Sequence, residues 1–410
     1  MTYAAIARRS SERQLFFLCV TSGAAGRNAY FVVAAWIAAD SSHGPSAVAI
    51  LLGLGSMAEL LTTNLGGALV DRFDRKIICI ACDFLRLVLM AASSLGLHYA
   101  DPLGILFISW VLYAVLDRTY LTSLQALVPS LTERSHLIAF NSLLYIGMQF
   151  GNLLAALAAG LLLSMTTREH CFLFALACFA LSLSGMLALY TFQVPRAFAT
   201  PAVHGDCLQQ GRALPAILPL GPLRMSALCY ALIYAMGMLV SVLGSAFVLQ
   251  ELNGTALQFG YLEAAWAAGS IAGCVLLAIY SACGKGLGIA VHLCLSGIVL
   301  AGFLFLPNII LALVQMTILG VSYNVARVLI DAEVQHVVPN RELGRARSQI
   351  HTVCVAVGLF VYGLITLLGN AVRPSAVFGF FGLLMLAVAL AIILLTLKRG
   401  APVVDRPIST

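Results

Sequence analysis

Charge is what this sequence has least of. Only 10% of its 410 residues are Asp, Glu, Lys or Arg, whereas a soluble globular chain carries roughly a quarter. So thin a supply cannot coat a water-facing surface, which excludes a soluble domain. Metal-binding cysteine clusters are missing too. The eleven cysteines lie mostly in apolar runs, with no Cys/His cluster at metal spacing, so they read as small reduced core residues. No GxxxxGK[ST] cradle for nucleotide phosphates occurs, which excludes a primary pump. No HExxH or GxSxG constellation suggests an enzyme, and no cofactor or metal is expected.

What fills the chain instead is hydrocarbon. Hydrophobic residues make up 61% of it and the mean hydropathy is +0.98. Runs of about 20 apolar residues, enough to cross roughly 30 Å of lipid, recur from end to end. Hydropathy predicts twelve spans, over 14–38, 46–70, 77–99, 103–128, 137–163, 171–193, 223–249, 256–280, 286–306, 308–336, 347–369 and 375–397. The basic start at Arg8, Arg9 and Arg13 could open a signal peptide, but the apolar run behind it is too long and carries Arg27 and Asn28, so it reads as a retained first span. The stretch 194–222, rich in Pro and Gly, reads as a linker. It divides the chain into a six-span half over 1–193 and a second over 223–410, the latter ending in a short tail.

The formal charge of +6 does not mark a nucleic-acid binder, because the basic residues lie in short segments between spans. With a cytoplasmic N-terminus, seventeen Lys and Arg fall in inside segments and only Arg168 and Arg373 fall outside. This bias predicts that both termini are cytoplasmic. An internal echo supports two halves: Gln125-Ala-Leu-Val128-Pro129 ends the fourth span and Gln335-His-Val-Val338-Pro339 ends the tenth, as parallel repeats would leave behind.

Between the second and third spans stands Gly66-Gly67-Ala68-Leu69-Val70-Asp71-Arg72-Phe73-Asp74-Arg75-Lys76. It resembles the GxLaDrxGrkxxl signature of the major facilitator superfamily, with Asp74 in place of the usual glycine. The glycines permit close helix approach, Asp71 is suited to capping the following turn, and Arg72 and Arg75 are suited to lipid phosphates or a helix C-terminus. The resemblance implies a gating latch at Gly67, Asp71, Arg72 and Arg75. It also implies an all-α membrane protein with twelve transmembrane helices in two pseudo-symmetric six-helix bundles. The runs from Thr21 to Trp36, Cys82 to Arg86, and around both Val-Pro pairs look like the branch of the enterobactin exporter and macrolide efflux pumps. Two departures stand out. Arg27 follows Gly26 where the branch usually has an acid, and Gly151-Asn152 lacks the proline of the antiporter glycine motif.

A charge inside a span costs several kcal/mol unless paired or hydrated, so each one demands a reason. The resemblance implies that the first, fourth, seventh and tenth helices line a central cavity. Those helices carry Arg27 and Asn28, Asp117 and Arg118, and Asn324, Arg327 and Asp331; the second span adds Glu59. Under the offset between the Val-Pro pairs, Arg327 matches Asp117. Two readings stay open. Arg27, Arg118 and Arg327 either grip an anionic substrate, with Asn28, Asn324 and the hydroxyls of Tyr30, Tyr230 and Tyr234 beside them, or neutralise Asp117, Asp331 and Glu59, with Arg327 and Asp331 as an i, i+4 pair. Those three carboxylates are the candidates for proton coupling. Asp83 and Arg86 are expected to brace the loop signature, Glu263 to be solvated near the outer end of its span, and His292 to be a satisfied structural residue.

The expected protein is therefore a monomeric secondary transporter of a bacterial inner membrane. Its partners are the bilayer, protons and a small anionic substrate, and nucleic acid is excluded. Proton-coupled export of a carboxylate-type siderophore by alternating access is the leading reading. Multidrug or macrolide efflux, import of a ferric siderophore or organic anion, lysophospholipid transport and a non-transporting sensor are the alternatives.

Overall fold

A computed structural model of the chain describes residues 3–99, 101–131, 137–191, 224–282, 288–305, 308–338 and 343–398. Twelve α-helices run through them: α1 Tyr3–Ala39, α2 Pro45–Arg72, α3 Arg75–Tyr99, α4 Pro102–Leu131, α5 Leu137–Met165, α6 Arg168–Thr191, α7 Arg224–Ala246, α8 Ala256–Ala282, α9 Ile289–Ala301, α10 Ile309–Val337, α11 Leu343–Leu368 and α12 Pro374–Lys398. Each falls on an expected span, and no strand occurs among the described residues. Ten of them contain stretches long and apolar enough to cross a membrane. The linker expected over 194–222 lies outside the described residues.

Helix ends differ from the hydropathy bounds for local reasons. The first helix begins at Tyr3, well before its apolar window, because a polar turn can be helical without being buried in lipid. α7 continues into a π-helical turn, Phe247–Glu251. The Glu251 carboxylate there accepts from the Ser375 amide at 2.7 Å, capping the positive end of α12. α9 tightens into a 3₁₀ turn at Gly302–Leu304, and the Gln315 side chain of α10 donates to the Val299 carbonyl it frees.

Packing follows the repeat. α1 packs on α5 and α6, α2 on α4, and α3 on α4 and α6; α7 packs on α11 and α12, α8 on α10, and α9 on α10 and α12. Adding six to each number of the first set gives the second. The two bundles meet along α5–α8 and α2–α11, a pair of contacts that the same shift exchanges. The Val-Pro echo shares this correspondence: Val128 and Pro129 sit in the last turn of α4, and Val338 ends α10. Val338 has φ −100° and ψ 130°, the extended conformation that a following proline imposes.

At the end where α5 finishes and α8 starts, the bundles touch backbone to backbone. A Cβ on Gly160 would stand 2.9 Å from the Cα of Gly260, and one on Gly260 would stand 2.6 Å from the Ala156 carbonyl oxygen. Glycine is required at both. At the same end Ser46 of α2 donates to the Thr366 carbonyl of α11 at 3.1 Å, and Trp36 stacks on Phe259.

Candidate functional site

Between the bundles lies a cavity of about 370 Å³ whose wall draws on both halves. α1 supplies Arg27, Asn28 and Phe31; α2 supplies Ser56 and Glu59; α4 supplies Trp110, Tyr113 and Asp117. From the other side come Glu263 and Trp266 of α8, Tyr323 and Arg327 of α10, and Tyr362 of α11; α5 contributes Tyr145, Gln149 and Asn152. Asp117 and Arg327, the positions matched by the repeat, face this one space with opposite charges.

The charges of the first half are bound to one another. Asp117 receives Arg86 Nη2 at 2.7 Å, the Tyr113 hydroxyl at 3.0 Å and Arg27 Nη1 at 3.5 Å. Arg86 reaches back to Asp83 at 3.1 Å, and neither side chain is exposed. Ser182 of α6 donates to the second Asp83 oxygen at 2.7 Å, and the Arg86 guanidinium lies 4.1 Å from the centre of the Tyr120 ring. Two cations and two anions thus form a neutral chain through α1, α3, α4 and α6. This corrects the expectation for Asp83 and Arg86, which brace the bundle interior and not the loop signature. Glu59 in turn pairs with Arg118 at 3.3 Å.

The second half is different. Arg327 has no carboxylate within ion-pairing distance among the described residues. It donates to the Tyr145 hydroxyl at 3.0 Å, stacks over that ring at 5.0 Å and is solvent-accessible in the cavity. The Tyr145 hydroxyl in turn donates a hydrogen bond to Asn324 Oδ1 at 2.5 Å, so one tyrosine ties α5 to α10 across the bundle boundary. The expected i, i+4 ion pair with Asp331 does not form, and Asp331 stands off the cavity wall.

Of the expected site residues, the structure brings Arg27, Asn28, Glu59, Asp117 and Arg327 to the cavity and leaves others away from it. Asn28 is used structurally, donating to the Asn152 carbonyl at 2.8 Å. Tyr30 is fully buried with its hydroxyl 2.6 Å from Ser109. Tyr230 and Tyr234 stand in a file behind Tyr323, with neighbouring ring centres 6.2 and 6.3 Å apart; only Tyr323 lines the wall. Asn324 is buried behind Tyr145, and Arg118 reaches the wall only through Glu59. Glu263, expected to be solvated near the outer end of its span, lines the cavity instead. His292 is buried on α9 with no partner for its Nδ1 among the described residues, so it is not the satisfied histidine expected.

Sequence reasoning missed α5 and α8 as cavity helices. The signal was there as spacing: Tyr145, Gln149 and Asn152 recur at i, i+4 and i+7, a polar stripe on one face of an otherwise apolar helix.

In the loop signature, Gly67 and Asp71 belong to α2, but their side chains lie outside the described residues. Arg72 is exposed. Arg75 donates to the Ala126 carbonyl at the end of α4 at 2.7 Å, and Lys76 to the Leu189 carbonyl at the end of α6 at 2.8 Å. Both cations meet the negative ends of helices. Asp74 accepts from the Lys76 amide at 2.8 Å, capping the first turn of α3.

A twelve-helix fold whose polar cavity lies between two repeat-related bundles has clear relatives. The Major Facilitator Superfamily model matches residues 16–362. Among solved structures the chain is similar to a peptide transporter, POT, at 15% identity over 94% of each chain with a TM-score of 0.73. It is similar to the nucleoside transporter NupG at 12% identity over 93% of this chain and 99% of that one, with a TM-score of 0.72. A bacterial homologue of the iron transporter ferroportin, in an inward-facing state, matches at 16% identity over 97% and 99%, with a TM-score of 0.69. No curated protein sequence matches the chain. These structural likenesses carry the fold alone, while the family match spans most of the sequence. The chain belongs to the major facilitator superfamily and is a membrane transporter, not an enzyme.

Proposed function

We propose that this transporter carries a small polar organic anion by alternating access, with Arg327 as the group that grips it. The observation behind this reading is that Arg327 faces the cavity with no carboxylate bound to it. A guanidinium fork of this kind matches a carboxylate bidentately. The reading moves the anchor from Arg27, which already shares Asp117 with Arg86. Tyr145 holds Arg327 in place, and its bond to Asn324 fixes the hydroxyl that does so.

Cavity size favours the same class. About 370 Å³ stands near the lower end of ligand sites, roughly 300–1,000 Å³, which suits a compact metabolite better than a macrolide or a lysolipid. A carboxylate-type siderophore, the substrate expected from the resemblance to the enterobactin exporter, belongs to the favoured class. The paired carboxylates Glu59 and Asp117 have little freedom to exchange protons, since releasing either strands an arginine.

Binding to the purified transporter tests the proposal. A thermal-shift panel of tricarboxylates, citrate-based siderophores, macrolides and lysolipids should show stabilisation by the carboxylates. Arg327→Ala should weaken that binding at least tenfold, and Arg327→Lys should recover part of it. Stabilisation by lysolipids or macrolides alone would reject the anion reading.

A further inference from the structure

Pairing off the intramembrane charges leaves a remainder. Arg27, Asp117, Arg86 and Asp83 neutralise one another, as do Glu59 and Arg118. One cation and one carboxylate on the cavity wall are in no ion pair among the described residues: Arg327 and Glu263. Glu263 also makes no hydrogen bond to any described residue. It lies two turns into α8, one turn before Trp266 on the same helix face.

The surroundings of Glu263 offer no counter-charge within ion-pairing distance among the described residues. Of the helices packed against α8, α10 presents Arg327 and Tyr323 to the cavity, α5 presents Tyr145, α1 presents Arg27, and α7 presents only Ser241. Arg27 is already bound to Asp117. The Glu251 carboxylate in the π-helical turn is engaged by the Ser375 amide. On the far wall Glu59 and Asp117 are held by their arginines. A carboxylate walled in by lipid-embedded helices with no cation in ion-pairing reach is least costly as the neutral acid, with a proton bound.

We propose that Glu263 is the proton-binding group of the cavity and that anion binding at Arg327 promotes its protonation, so that proton and anion occupy the cavity together. The linkage rests on the anion reading above. Glu263 of α8 and Arg327 of α10 line one cavity on helices packed against each other, and charges enclosed between buried walls are screened much less than exposed ones. An anion held there is therefore little screened from Glu263 by solvent ions. Two negative charges in that space repel; a proton on Glu263 removes the repulsion and leaves Arg327 to the anion. By linkage, whatever favours the proton favours the anion equally. Co-occupancy couples the two in the same direction, so a proton gradient draws the anion with the protons. Exchange of anion for proton would require the two to compete.

Infrared titration of the full chain in nanodiscs, from pH 4.5 to 9, reads the proton directly. The wild type should show a carboxyl signal that disappears in one step as pH rises, and Glu263→Gln should lack this step while retaining its helical content. A step that persists in Glu263→Gln, or the absence of any step in the wild type, overturns the proton site. Propane-1,2,3-tricarboxylate, added as the anionic probe, should move the step to higher pH in the wild type and leave it in place in Arg327→Ala. Probe affinity should fall about tenfold as pH rises through the step, while Glu263→Gln binds with the low-pH affinity throughout. Binding that depends on Arg327 yet leaves the step unmoved overturns the linkage. Binding indifferent to Arg327, or absent, overturns the anion reading and the linkage while leaving the proton site standing.

Discussion

Arg86 shows how much of this membrane protein is decided by single polar side chains. Its guanidinium lies between two carboxylates and over an aromatic ring, entirely out of solvent. Removing one partner of such a buried set leaves the others uncompensated, at a cost of about 3–5 kcal/mol. Arg86→Met should accordingly lower the midpoint of thermal unfolding in detergent sharply. Asp83→Asn should do less, because Ser182 and Arg86 retain a polar partner. A midpoint for Arg86→Met equal to wild type would show that the chain of charges contributes nothing to stability. The sequence made these charges conspicuous by their depth in the spans but could not pair them. Asp83 and Arg86 are legible as near neighbours three residues apart; Asp117, a helix away, is not.

At the boundary between the bundles, α5 and α8 meet backbone to backbone, as α1 and α5 do at Gly151 and α8 and α10 do at Gly269 within the bundles. The atoms that a Cβ on Gly260 would strike are a carbonyl oxygen and a Cα, which cannot rotate aside as a side-chain tip could. Gly260→Val should push α5 and α8 apart and favour the conformation open at that end. A cysteine introduced at Ala267 on the cavity wall, in a cysteine-depleted background, should then label faster with an impermeant maleimide added from that side. Unchanged labelling would mean that this contact is no part of the gate. The spans themselves were readable from hydropathy, and so was the signature turn between α2 and α3. The cavity role of α5 and α8 was not, because a helix facing lipid and a helix facing a half-polar cavity differ by only a few side chains in thirty.

On the scale of the molecule, the two bundles repeat each other in packing, and the cavity they enclose carries different charges on its two sides. The first half contributes charges already neutralised, and the wall charges in no ion pair among the described residues, Arg327 and Glu263, lie on α10 and α8 of the second. The loop basic residues Arg75 and Lys76 gather at the ends of α4 and α6. If the seventeen-to-two bias of Lys and Arg governs insertion, reporters fused to either terminus should read as cytoplasmic, and a tag in the loop before α6, next to Arg168, as external. The opposite pattern would reverse the topology.

Sequence alone determined the class of protein, the number and position of its spans and the signature of its family. Lipid solubility is a sum over neighbouring residues, and a helix in lipid satisfies its own backbone, so both are local properties written in order along the chain. Only the tertiary structure decided which charges cancel and which remain. The pairings join Arg27 to Asp117, Arg118 to Glu59 and Arg327 to Tyr145, residues from different helices whose approach depends on packing. That is why Arg27 stood out in the sequence, and why Arg327 and Glu263 stand out once the helices are assembled.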